Sequence, residues 1–193
     1  ERMTALPSRT SSGFAAGMAC PVKVRALERG CEVFQFEKVK TPEGVAQLKA
    51  LEPDVIVTAA FGQILTQEIL DIPQYGVVNV HASLLPRHRG SAPINWCILQ
   101  GEKVAGVTTM LTARGIDTGD MLLKAETEIG ELETAGELTV RLSEMGGKLL
   151  VQAEGLANTT ANNKLFAAAL GVTADVSKQT STATLNGTVN LAG

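Results

Sequence analysis

Short apolar runs alternate with segments of helical periodicity along most of the chain. The predicted strands cover residues 32–36, 55–60 and 76–80, and the predicted helices cover 21–30, 42–51 and 63–70. The run at 55–60 is continuously apolar, which is typical of a strand buried on both faces. This order predicts an α/β domain with a Rossmann-like, mainly parallel sheet and flanking helices.

The pattern continues to residue 157 and then changes. A helix is predicted at 92–99, followed by strands at 107–111 and from 121 onward. Thr134 and Glu137 have the spacing of a capping box, which opens an amphipathic helix. We expect its apolar stripe to pack in the core; the stripe consists of Leu138, Leu142, Met145, Leu149 and Leu156. The composition of residues 1–19 predicts a loop. Residues 158–193 are interpreted as a linker or unassigned tail, with one candidate strand at 165–170.

Composition narrows the class of protein. The formal net charge of −3 argues against a general affinity for nucleic acid, although a local basic patch is compatible with it. Every apolar run is shorter than the about 18 residues needed to cross a bilayer. The three cysteines lack metal-ligand spacing, so reduced thiols in the cytoplasm are expected, with no metal and no membrane partner.

The strongest candidate chemistry lies where the strand at 76–80 ends. Asn79 and His81 are two residues apart, so both side chains project from the same face of that strand. Ligands of open parallel sheets bind at this carboxyl edge. The chain has only two histidines, and the other, His88, is expected at the surface. On its own, such an Asn–His pair is more often structural than catalytic.

A second candidate is the glycine-flanked segment from Gly115 to Asp120, between two predicted strands. Glycines allow Asp117 to come close to a neighbouring strand end. The alternative is an ordinary turn in which an Asp side chain binds nearby backbone amides. For Asp120 we prefer the ordinary turn and assign it no catalytic role.

These segments together resemble the formyltransferase family that uses 10-formyltetrahydrofolate. The resemblance extends from about residue 21 to about residue 152, over the motifs N-V-H-A-S-L-L-P at 79–86, R-H-R-G-S-A-P-I at 87–94, G-V-T-T-M at 106–110 and G-I-D-T-G-D at 115–120. Within the family, it favours the branch that formylates methionyl initiator tRNA. The resemblance implies that residues 1–157 have the formyltransferase fold without the family's first strands. It also implies that residues 158–193 do not form the family's C-terminal barrel.

The resemblance implies three catalytic residues, Asn79, His81 and Asp117. Asn79 would donate to the oxyanion of a tetrahedral intermediate, and His81 would assist proton movement. Asp117 would orient His81 or pass protons through an ordered water. Ser83, Leu84, Leu85 and Pro86 would form the loop that contacts the folate, with the leucines covering its flat rings. Arg87 and Arg89 would face the folate tail, the tRNA or only solvent.

The implied function is formyl transfer from 10-formyltetrahydrofolate to methionyl initiator tRNA by a cytoplasmic enzyme, expected to be a monomer. Three alternatives stay open. In the first alternative, the formyl acceptor would be an amino sugar. In the second, the chain would be a non-catalytic folate-binding fragment. In the third, the protein would be a formyltetrahydrofolate hydrolase.

Overall fold

The computed structural model describes residues 2–4 and 21–157, with side chains from residue 21 to residue 152. Strands and helices alternate within this part of the chain. The strands are β1 (Arg2–Thr4), β2 (Glu32–Phe34), β3 (Ile56–Ala59), β4 (Val77–His81), β5 (Val104–Leu111) and β6 (Met121–Glu128). The helices are α1 (Pro21–Glu28), α2 (Pro42–Ala50), α3 (Gln67–Leu70), α4 (Pro93–Leu99) and α5 (Ala135–Ala157).

The main sheet has the order β3-β4-β5-β6. β3 and β4 are parallel, with Thr58 opposite Asn79, whereas β4–β5 and β5–β6 are antiparallel. β1 and β2 form a separate parallel pair. The predicted α/β class is therefore confirmed, but the main sheet is mixed rather than mainly parallel. A short loop joins β5 to β6, and such a loop can connect only antiparallel neighbours.

The two faces of the main sheet have different roles because side chains alternate along each strand. One face packs against α4 and α5 in a core that includes Val107, Leu138, Leu142 and Leu149. The opposite face carries His81, Thr108 and Lys124, which are paired across β4, β5 and β6. A second core, built on Val39, Val45, Leu48 and Ile69, lies around α2 and α3. The stripe of α5 thus packs as predicted, except that the side chain of Leu156 lies outside the described residues.

The capping box at the start of α5 is confirmed. The Thr134 backbone N–H donates to Glu137 Oε2 at 2.9 Å, and the Glu137 N–H donates to Thr134 Oγ1 at 3.3 Å. The hydrogen bonds from Thr134 hold the pKa of the exposed Glu137 carboxyl below its ordinary value. Among the described helices, including the long α5, none combines the length and apolarity of a membrane span.

Three local predictions were wrong. The helix expected at 63–70 begins only at Gln67, because Gly62 has φ +71° and Thr66 has the extended backbone of an N-cap. β3 is half-buried throughout rather than buried on both faces, since within the described residues it ends the main sheet. Residues 2–4, predicted as loop, form β1 by pairing with β2. The candidate strand at 165–170 and the predicted tail at 158–193 lie outside the described residues.

Candidate active site

Asn79 lies near the carboxyl end of β4, beside the end of the parallel strand β3. The hydroxyl of its register partner, Thr58, donates to Asn79 Oδ1 at 3.0 Å. An amide held through its oxygen has its two N–H donors available for another acceptor. This part of the site is thus a fixed donor at the sheet edge predicted from the sequence.

His81, the last residue of β4, is 7% exposed and touches two different acceptors. Its Nε2 lies 2.9 Å from the backbone carbonyl oxygen of His88. A carbonyl oxygen can only accept a hydrogen bond, so Nε2 carries the proton of the neutral ring. Its Nδ1 lies 3.6 Å from Asp117 Oδ2. In the neutral ring Nδ1 therefore presents a lone pair to the carboxylate, and a proton gained there would form an ion pair.

Asp117 reaches His81 from the loop between β5 and β6. It has the left-handed φ of +48°, and its Oδ2 accepts from the Gly90 N–H at 2.8 Å. Two residues further on, a Cβ on Gly119 would lie 1.7 Å from the Leu111 carbonyl oxygen. This loop therefore requires a glycine at position 119, and it places Asp117 beside the end of β4. The fold brings the carboxylate to the imidazole across 36 residues of sequence.

The loop from Ser83 to Pro86 is anchored to the sheet. Thr108 Oγ1 donates to the Ser83 carbonyl at 2.7 Å and accepts from the Leu85 N–H at 3.1 Å. The Ser83 hydroxyl donates to the Arg87 carbonyl at 2.7 Å. Lys124 Nζ donates to the Leu85 carbonyl at 2.5 Å. Side chains of β5 and β6 therefore fix the path of this loop backbone over the sheet face.

These anchors decide which of the four loop side chains can meet a ligand. Ser83 and Leu85 are 4% and 2% exposed, so neither presents its side chain outward. Leu84 is half-buried and lies over Gly106, where an added Cβ would come within 2.4 Å of Leu84 Cδ2. Pro86 is exposed. The sequence interpretation had proposed that both leucines cover the flat rings of the folate. In this arrangement Leu85 cannot do so, because its side chain fills the protein interior.

Arg87 and His88 are directed toward Glu102, at the amino-terminal side of β5. Arg87 Nη2 and His88 Nε2 lie 2.6 and 3.0 Å from Glu102 Oε1. The side chain of His88 is 10% exposed, so the prediction that it lies at the surface was wrong. Its φ of +54° turns the loop so that its imidazole points inward. Arg89 is exposed, as one of the sequence alternatives anticipated.

Sequence reasoning missed two features beside Asn79. One is Thr58, whose hydroxyl holds the Asn79 amide. The other is the loop after β3, in which Gln63 accepts from the Val39 N–H at 2.8 Å and donates to the Glu37 carbonyl at 3.2 Å. Ile64 in this loop is 74% exposed. The signal was available, because a glycine-containing segment after one parallel strand lies beside the end of the next.

The sheet order and its polar edge define the class of protein, an α/β protein with the formyltransferase fold. A phosphoribosylglycinamide formyltransferase from Bacillus halodurans has a similar structure (TM-score 0.63, 28% identity, 74% of this chain and 75% of that one). A sugar N-formyltransferase from a Shewanella species is also similar (TM-score 0.55, 26% identity, 68% of this chain and 50% of that one).

The sequence comparisons are more specific. Residues 13–153 match the family model described as Formyl transferase, so the chain belongs to the formyl transferase family. The methionyl-tRNA formyltransferase of Acetivibrio thermocellus is 60% identical over 130 residues, which are 67% of this chain and 42% of that protein. The chain therefore spans about two fifths of the length of this curated relative.

Proposed function

We propose that the intact protein transfers a formyl group from 10-formyltetrahydrofolate to the amino group of methionyl initiator tRNA. The observation that carries the proposal is the convergence of an amide donor, a buried imidazole and a carboxylate at one sheet edge, in a member of the formyl transferase family. In the reaction the amine attacks the formyl carbon and a C–N bond forms. The bond from that carbon to the folate nitrogen then breaks, with no change of oxidation state.

Asn79 is assigned the stabilisation of the developing oxyanion. The carbonyl oxygen of the formyl group becomes negative in the tetrahedral intermediate, and a pre-oriented N–H donor stabilises it. The bond from Thr58 to Oδ1 supports this role, since it fixes the amide with its donors available. Removing one such donor typically costs about 10²–10³-fold in turnover.

His81 and Asp117 are assigned the movement of protons. The attacking amine must lose a proton after the C–N bond forms, and the departing folate nitrogen must gain one. The His81 Nδ1 lone pair accepts the proton of the amine, and the Asp117 carboxylate stabilises the resulting imidazolium from 3.6 Å. The imidazolium then passes this proton to the departing folate nitrogen, which regenerates the neutral ring. The second ring proton stays on Nε2 during this exchange, donated in a hydrogen bond to the His88 carbonyl.

The donor is assigned to the loop 83–86 on the basis of the sequence resemblance. Because Ser83 and Leu85 are buried, we propose that the loop meets the folate with its backbone groups and with Pro86. The exposed Ile64, in the loop after β3, supplies an apolar surface near the same sheet edge. The residues proposed for the reaction do not require a metal.

The acceptor is the least constrained part of the proposal. The 60% identity to a protein named methionyl-tRNA formyltransferase favours the tRNA, whereas a solved structure of similar fold is a sugar N-formyltransferase. We propose that the enzyme acts in the cytoplasm, where the sequence interpretation placed it. Its predicted monomeric state stays a prediction.

The test is formyl transfer by the intact protein from 10-formyltetrahydrofolate, with three parallel acceptor conditions. We expect formylated methionyl-tRNA when initiator tRNA is supplied. Formylation of a nucleotide-linked amino sugar alone would favour the sugar enzyme. Formate release without any amine would indicate a hydrolase. Folate binding without turnover in any condition would mean a non-catalytic protein. The first of these last three results would overturn the proposed acceptor, and the other two would overturn the proposed formyl transfer.

A further inference from the structure

A polar cluster, buried except for the exposed side chain of Arg87, lies behind the loop that carries His88. The Glu102 carboxylate, with its side chain 11% exposed, is its centre. Oε1 lies 2.6 Å from Arg87 Nη2 and 3.0 Å from His88 Nε2, and Oε2 accepts from Cys97 Sγ at 3.3 Å. One carboxylate thus joins two consecutive loop residues to α4. We call Glu102, Arg87, His88 and Cys97 the Glu102 cluster.

Within the Glu102 cluster, the negative charge of the Glu102 carboxylate is balanced by the positive charge of the Arg87 guanidinium. Burial raises the pKa of Glu102, but hydrogen bonds from Cys97 and His88 and the charges of His88 and Arg87 outweigh burial, so the net pKa is lowered. Burial, together with the hydrogen bond and charge of Glu102, raises the pKa of Cys97 to about 11. The thiol is therefore neutral near pH 7, and the carboxylate is ionised beside the guanidinium.

His88, Cys97 and Glu102 are residue types that also bind metals, and their ligand atoms lie within 4.8 Å of one another. Two observations favour a structural network instead. The Arg87 guanidinium already neutralises the carboxylate. The cavity lined by these side chains has a volume of about 10 Å³, the space of a single water.

The Glu102 cluster is connected to the proposed reaction centre through one residue. The His88 side chain contacts Glu102, while its backbone carbonyl accepts from His81 Nε2 at 2.9 Å. That carbonyl favours the proton on Nε2, because it lies at hydrogen-bond distance whereas the competing acceptor, Asp117 Oδ2, is 3.6 Å from Nδ1. We propose that Glu102 is a positioning residue, which through His88 keeps the His81 proton on Nε2 and the lone pair on Nδ1.

Loss of this connection has a specific consequence. If the His88 carbonyl moves away, the acceptor nearest to the imidazole is Asp117, on the Nδ1 side. The proton then shifts to Nδ1, and the nitrogen proposed as the base is blocked. Partners that orient metal-ligating histidines typically contribute about 10–100-fold, and we expect the same order of magnitude for His81. This inference rests on the proposed function only for its kinetic part, since the position of the proton is a property of the free protein.

The test compares Glu102→Gln with Glu133→Gln in the intact protein. Glu133 is a matched control, because it is 13% exposed and its carboxylate lies 2.6 Å from an arginine, Arg141. Imidazole ¹⁵N spectra, recorded where the rings are neutral, report which His81 nitrogen is protonated. Formyl transfer gives kcat and KM separately. Thermal unfolding gives the loss of stability in each variant.

We expect Glu102→Gln to populate the Nδ1-protonated form of His81 and to lower kcat about 10–100-fold with little change in KM. Glu133→Gln should destabilise the protein and change neither quantity. A second variant, His88→Gly, suits the positive φ of this residue and removes the side-chain link to Glu102. We expect it to reproduce both effects of Glu102→Gln, including when Glu102→Gln itself does not fold.

The inference would be overturned if His81 kept its Nε2 proton in Glu102→Gln and His88→Gly. It would also be overturned if kcat fell equally in Glu102→Gln and the Glu133→Gln control. A tautomer shift confined to Glu102→Gln and His88→Gly, in a protein that forms no formylated product, would support the positioning role while rejecting the proposed function.

Discussion

At the scale of single residues, the site depends on His81 meeting different partners at its two nitrogens. A carbonyl fixes the proton on Nε2, and a carboxylate faces Nδ1. The resemblance to the formyltransferase family predicted which residues meet. The assignment of each nitrogen was not predictable, because it depends on the left-handed backbone of His88 and Asp117, which is set by the folded loops.

Asp117→Asn tests the charge at this contact. Asn is similar in size, tolerates a positive φ and can still accept from the Gly90 N–H. It lacks the negative charge that would stabilise protonated His81, so we expect single-turnover formyl transfer to fall about 10²–10³-fold with little change in melting temperature.

The matched control is Asp120→Asn, the same chemical change at an exposed side chain three residues away. It should retain wild-type turnover. Equal activity of the Asp117→Asn and Asp120→Asn proteins would remove Asp117 from the reaction centre.

At the scale of elements, apolar periodicity predicted most helices and strands, whereas their pairing lay beyond it. α1, α2 and α4 begin and end close to the predicted positions because proline or a threonine cap marks their starts. The antiparallel pairing of β5 with β4 was missed, since it depends on contacts between distant parts of the chain. Thr58 and Glu102 were missed for the same reason: each acts on a residue at least 14 positions away.

The anchoring of the loop 83–86 to β5 gives a prediction at this scale. Thr108→Val removes a fully buried hydroxyl and leaves the Leu85 N–H and the Ser83 carbonyl without their partner. We expect a loss of about 1–3 kcal/mol in the free energy of unfolding. Folate binding should weaken as well, because the loop backbone is released. Urea unfolding and a folate titration measure the two effects.

Thr109→Val is the control on the same strand. Thr109 is equally buried, but its hydroxyl accepts from the Leu123 N–H at 3.1 Å, within the β5–β6 pair. We expect a comparable loss of stability with folate binding retained. If both variants weakened folate binding equally, anchoring by Thr108 would have no particular role in the site.

At the scale of the whole molecule, the main sheet separates packing from chemistry. Its core face is covered by α4 and α5, and its other face carries His81 and the anchored loop. This division was implicit in the alternation of the strands. The identity of the formyl acceptor was not implicit in this pattern, because the chain spans only about two fifths of the curated relative that it resembles.

The dependence of stability on pH follows from Glu102. Burial opposes ionisation, but the hydrogen bonds from Cys97 and His88 and the neighbouring charges outweigh it, so the folded pKa lies below the ordinary value of 4.5. The unfolded chain then binds more protons, and the stabilisation is complete above pH 4.5 and lost as the pH falls through the folded value.

We therefore expect wild type to be more stable than Glu102→Gln at pH 7, with the difference shrinking as the pH is lowered below 4.5. Urea unfolding of both proteins across this pH range measures it. A difference that stays constant, or that grows toward low pH, would contradict the ionised state assigned to the Glu102 cluster.

The most direct test of the proposed reaction centre is the turnover of His81→Ala. The measurement is formyl transfer from 10-formyltetrahydrofolate to methionyl initiator tRNA by the intact protein, beside wild type. We predict a fall in kcat of about 10²–10⁴-fold, with folate binding and the melting temperature largely retained. Turnover close to that of wild type would contradict the assignment of His81 to the chemical step.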